Sequence, residues 1–136
     1  MSDEAKIIEL LGNGGDPVRF TVADGTGIEK GTLMQLSGDP RTITATSADG
    51  DLFVGIAAAE KVANDGSTTL AVYTNGIFDI KAAGAGITLG NMCKINGANL
   101  IAPLDTDTGE LQQAESVGMV LETASASETV AVRVMK

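Results

Sequence analysis

The densest set of oxygen donors in the sequence is Asp105-Thr106-Asp107-Thr108-Gly109-Glu110, and closely spaced carboxylates in a loop are what a hard cation such as Ca²⁺ binds. The spacing departs from a calcium loop: Gly109 takes the third acidic position, Ser116 stands where the terminal bidentate Glu belongs, and no helical pattern flanks the segment. It reads as a solvated acidic turn. Asp24, Asp49, Asp65 and most of the remaining aspartates adjoin Gly or Pro, where side-chain bonds to the local backbone explain them and no catalytic pair stands out. Two glycine-rich stretches invite a phosphate-binding reading. In Gly27-Ile28-Glu29-Lys30-Gly31-Thr32 the Lys precedes the Gly, and Gly84-Ala85-Gly86-Ile87-Thr88-Leu89-Gly90 misses the dinucleotide spacing with no helix to follow. With no His in the chain and Cys93 its single Cys, a Ser-His-Asp triad, a Cys-His dyad, a His-ligated metal and an internal disulfide are all excluded. Cys93 lies in the apolar run Asn91-Met92-Cys93-Lys94-Ile95 and is expected to be a small buried side chain. The residues nominate no enzyme, no cofactor and no metal.

The elements that must position these residues are legible from composition and pattern. At 136 residues, 43% hydrophobic and 20% charged, the chain is long and apolar enough for a compact folded domain and has no run approaching the ~18 apolar residues of a membrane span. Eighteen Asp and Glu against nine Lys and Arg give a net charge of −9, the wrong sign for nucleic acid or an anionic membrane. Met1-Ser2-Asp3-Glu4 is acidic where a secretory signal is basic, so the sequence predicts a protein made and kept in a cytoplasm.

Asn or Asp precedes Gly at Gly14, Gly25, Gly50, Gly66, Gly76 and Gly97, each a tight-turn signal. Between these turns lie about ten short β-type runs, at 18–22, 33–36, 42–46, 53–59, 68–73, 77–81, 91–95, 100–102, 117–122 and 129–135, several alternating with period two. The expected fold is all-β: a single compact β-barrel or β-sandwich, residues 16–136. The aromatics Phe20, Phe53 and Phe78 fall inside the runs and are expected in the core. Residues 1–15 are read as an N-terminal arm, either a short helix capped by Ser2 or an extended strand. It carries Ile7, Ile8, Leu10 and Leu11 and is too short to be stable without a partner surface.

The two halves echo each other. Ile28-Glu29-Lys30-Gly31-Thr32-Leu33-Met34 aligns with Ile87-Thr88-Leu89-Gly90-Asn91-Met92-Cys93. Val54-Gly55-Ile56 and Thr69-Leu70-Ala71-Val72 align with Val117-Gly118-Met119 and Thr129-Val130-Ala131-Val132. The separations are 59 residues from Gly31 to Gly90 and 63 from Gly55 to Gly118, so one loop differs by about four residues between pseudo-repeated halves.

These stations, with Asp65-Gly66 and the stretch Val72-Tyr73-Thr74-Asn75-Gly76-Ile77-Phe78-Asp79-Ile80 between them, occur in an order and spacing that resembles the bacteriophage capsid cement, or head-decoration, proteins over residues 20–136. The arm is longer and more acidic than that family's pattern. The resemblance implies a non-enzymatic protein of the virion, β-tulip-like folds being among those such proteins adopt. It would add to the outer surface of an assembled icosahedral capsid, with the major capsid protein and itself, as a homotrimer, for partners, and with no cofactor. Ile7, Ile8, Leu10 and Leu11 would then contact the capsid protein or a neighbouring subunit. Two other readings compete: a virion β-domain for receptors or carbohydrate, for which one Tyr and no Trp offer little stacking surface, and an enzyme acting through an acidic pair.

Overall fold

A computed structural model of the chain describes residues 3–9, 17–104 and 112–136. Among the described residues of the arm, 3–9, β1 (Lys6–Glu9) is a strand, not a helix. The ten runs expected from the sequence become ten strands: β2 (Val18–Thr21), β3 (Leu33–Gly38), β4 (Thr42–Ala45), β5 (Phe53–Ala57), β6 (Thr69–Tyr73), β7 (Asn75–Ala82), β8 (Met92–Ile95), β9 (Leu100–Pro103), β10 (Ser116–Val120) and β11 (Thr129–Met135). One helical turn, α1 (Gln112–Glu115), leads into β10 and carries no pattern that the sequence reading used.

The all-β expectation holds, and the pseudo-repeat takes a definite form, since each half closes a five-stranded barrel of its own. In the first, β2 pairs β4 in parallel and β6 antiparallel, β3 pairs β4 and β5, and β5 pairs β6. In the second, β7 pairs β9 in parallel and β11 antiparallel, β8 pairs β9 and β10, and β10 pairs β11. The two connection diagrams are identical. Isolated bridges repeat as well, Ile28 with Lys61 in the first half and Ile87 with Ala124 in the second. Closure of both sheets removes most free edges. The aligned glycines explain themselves. A Cβ on Gly55 would lie 2.7 Å from the carbonyl oxygen of Tyr73, and one on Gly118 would strike that of Arg133, so β5 and β10 approach their neighbours where only hydrogen fits. Asn75-Gly76 is not a hairpin turn: β6 and β7 do not pair, and the dipeptide opens β7 as the chain crosses from one barrel to the other.

Period-two alternation fills both barrels. Along β7 every second residue, Gly76, Phe78, Ile80 and Ala82, is buried. Met34, Ile43, Ala57, Leu70 and Val72 form the first barrel's interior. Phe78, Ile80, Cys93, Ile95, Val117, Val132 and their neighbours fill the second. Leu33, Phe53 and Ile56 point the other way, out of the first barrel, and belong to the second barrel's core. Polar pins hold this junction: Asn99 Oδ1 accepts the Leu33 N–H at 2.9 Å, and the Gly50 N–H donates to the Ile95 carbonyl at 3.0 Å. Asp49 receives Lys94 Nζ at 3.1 Å and Asn96 Nδ2 at 3.2 Å.

Candidate functional site

The sequence-predicted site begins at the arm. β1 lies antiparallel on β7, with Lys6 opposite Asp79 and Ile7 opposite Phe78, along the stretch of β7 that β9 does not reach. The Ala5 N–H donates to the Gly31 carbonyl at 2.7 Å, and Lys81 Nζ stands 3.3 Å from both carboxylate oxygens of Asp3. Gly31 makes the seat possible: its φ of +92° is easy for glycine, and a Cβ there would sit 2.5 Å from the Ala5 carbonyl oxygen. A cleft of ≈ 570 Å³ remains between the arm and the barrels, lined by Asp3, Lys6, Lys30, Asp79 and Lys81 among others. Ala5 is buried, whereas Ile7 and Ile8 are 38% and 52% exposed, adjacent residues on a strand that forms the end of its sheet. Leu10 and Leu11 lie outside the described residues.

The groups that could do chemistry have structural partners. Cys93 is buried, desolvation pushes its thiol up to about 12, and its S–H donates to the Gly118 carbonyl at 3.4 Å, so no thiolate forms near neutral pH. Lys61 has a buried side chain whose Nζ reaches Asp24 Oδ1 at 2.9 Å, Asp65 Oδ1 at 2.8 Å and the carbonyls of Asp24 and Val62. Burial opposes the Lys61 charge, yet the two carboxylates outweigh it and hold its pKa above the ordinary value. The Lys61 ammonium, with the Ser67 and Val62 N–H groups, holds Asp65 down at about 2. This network ties the loop after β2 to the loop before β6. At the barrel junction the Lys94 hydrogen bond lowers the Asp49 pKa against a desolvation penalty. Among the described residues no three His, Cys, Asp or Glu side chains gather as a metal site, and the acidic run at 105–110 lies outside them.

What the sequence reading missed is apolar surface on the barrels themselves. Val18, Leu36 and Leu52 are 40–45% exposed at one end of the first barrel, and Met119 and Leu121 are about as exposed on the second. The aligned halves were the available signal for three of them, because Val18, Leu36 and Met119 correspond to the buried Phe78, Ile95 and Ile56 of the other repeat.

A family model described as phage cement protein matches residues 13–135. No curated protein matches the sequence. Among solved structures, the head fiber gp8.5 N base of bacteriophage phi29 is similar at a TM-score of 0.55 and 19% identity, covering 87% of this chain and 93% of that one, a likeness of fold.

Proposed function

The chain belongs to the phage cement protein family and is a phage capsid-associated protein, and from that premise we propose that it binds the outer surface of the assembled icosahedral head, as a homotrimer, and stabilises it without catalysing any reaction. The family match over residues 13–135 carries the reading. Two closed barrels suit such work, because they offer side-chain surfaces to a partner while leaving few unpaired strand edges to promote aggregation. A net charge of −9 opposes non-specific association of free trimers until a complementary lattice exists.

The mechanism is binding linked to assembly. A molecule that binds the finished shell and not its free subunits stabilises the shell by mass action, about 2.7 kcal/mol per site at a hundredfold excess over Kd. Three contacts from one trimer multiply a modest affinity per subunit. The arm, residues 1–15, is the proposed tether ahead of the β-domain at 16–136. Ile7 and Ile8 on the β1 edge, with Leu10 and Leu11 after them, would contact the major capsid protein or a neighbouring subunit. Fully burying an exposed side chain of this kind contributes about 1.5–3 kcal/mol before ordering costs, and Ile7 and Ile8, 38% and 52% exposed, have roughly half of that still to gain. The free edge of β1 offers backbone groups for strand addition.

Co-sedimentation with heads that lack the protein tests the reading. Expected is saturable binding at one trimer per site, weakened at least tenfold by deletion of residues 1–15. Heads that take up no protein overturn the function, and heads that bind the deletion as tightly as the full chain remove the arm from the mechanism.

A further inference from the structure

The two barrels share one topology, so each position has a counterpart that strand register identifies. Across β3, β5 and β6, Leu33 is opposite Ile56 and Ile56 opposite Tyr73; across β8, β10 and β11, Met92 is opposite Met119 and Met119 opposite Arg133. The first row is the outer face with which the first barrel closes the mouth of the second: Leu33 and Ile56 are 0% and 1% exposed and Tyr73 packs beside them. The second row is the same face on the second barrel, and it is open. Met119 is 39% exposed, Met92 is half-buried, and Arg133 Nε is buried with no hydrogen-bond partner among the described residues.

The mouths show the reverse. Phe78 is opposite Val132 and Ile95 opposite Ile101, as Val18 is opposite Val72 and Leu36 opposite Ile43. Phe78 and Ile95 are fully buried under the first barrel, while Val18 and Leu36 are 40% and 43% exposed, with Leu52 beside Leu36 through a 2.9 Å backbone hydrogen bond. One chain therefore carries one completed junction and both separated halves of a second: an outer face on its second barrel and, on its first, an apolar mouth that no described residue caps.

We infer that a second copy of this chain completes that junction, the Met92–Met119–Arg133 face of one copy closing the Val18–Leu36–Leu52 mouth of the next in the relation the two barrels already hold within a chain. The occupant is another copy because the two surfaces are the halves of an interface this fold already forms. The contact is head-to-tail, so it repeats from copy to copy, and a homotrimer requires that it close into a ring after three. It rests on the homotrimer reading, for which it supplies the contact surface, and leaves the arm free for the shell.

Two charge substitutions at exposed positions test it, Met119→Asp on the face and Leu36→Asp at the mouth. Light scattering of the full chain should give a trimer for the wild type and a monomer for each variant, with Kd raised about 30-fold or more. Circular dichroism spectra and melting midpoints close to wild type would show that both variants fold. Mixing the variants is decisive, since each keeps one intact half: Met119→Asp with Leu36→Asp should give a one-to-one dimer that stops there, and either variant alone should give none. A trimer of unchanged mass in both variants overturns this contact and leaves the trimer reading standing. A wild-type chain that is monomeric both in solution and on heads overturns the two together. Loss of the trimer in both variants with no dimer on mixing also overturns the contact, and assigns the mouth to the chain's own residues or to the capsid protein.

Discussion

Gly31 and its counterpart Gly90 separate two reasons for a glycine at the same place in each half. Both have positive φ, +92° and +85°, but only the Gly31 site has the arm above it; nothing lies within 4 Å of a Cβ on Gly90. Gly90→Ala should therefore cost only backbone strain, about 1–3 kcal/mol in urea unfolding. Gly31→Ala should add loss of the arm, read as faster hydrogen exchange at the Ala5 amide and cleavage within residues 1–15. Equal behaviour of the two variants would detach the arm from its seat. Asp65 makes the second prediction at this scale. Its pKa is about 2 when folded and near the ordinary carboxylate value when unfolded, so it contributes stability above pH ~4 that fades as pH falls toward 2. Asp65→Asn should flatten the acid limb of a stability–pH curve and lower stability at pH 7. The burial of Cys93 and the positive φ of Gly50, Gly66 and Gly97 were legible in the sequence because both follow from local chemistry. That Lys61 would be buried was not, for its partners Asp24 and Asp65 assemble around it only when two loops of the first barrel meet.

At the level of strands and arm, β3 and β5 face both ways: Met34 and Ala57 fill the first barrel while Leu33, Phe53 and Ile56 enter the second barrel's core. Phe53→Ala should cost about 3–5 kcal/mol by cavity formation. Because the cavity opens at the junction, its melt should separate into two transitions where the wild type shows one by calorimetry; a single transition in both would make the barrels one cooperative unit without this contact. Alternation and turn dipeptides made the ten strands legible, including strands as short as β4 and β9. They could not show that β6 and β7 part company at Asn75-Gly76, since a turn dipeptide looks the same whether or not its flanking strands pair. The arm was ambiguous for a related reason, its apolar residues fitting a helix or a strand until the free edge of β7 selects the strand at Lys6–Glu9.

Over the whole molecule, the echo between halves carried more information than any single motif. It located equivalent glycines at Gly55 and Gly118, and those positions prove to be the close approaches that let each half close its own barrel. Closure itself was out of reach of the sequence, because a parallel pair such as β2 with β4 or β7 with β9 is contact between non-neighbours with no local signature. The family likewise rests on order and spacing along the chain, and the match at 13–135 spans both barrels. The central claim is that binding to the assembled head stabilises it. The most direct measurement is the heat-disruption temperature of heads lacking the protein, titrated with the purified chain. The account predicts a rise that saturates at stoichiometric occupancy of the exterior and reverses on dilution; heads whose disruption temperature stays fixed at full occupancy would contradict it.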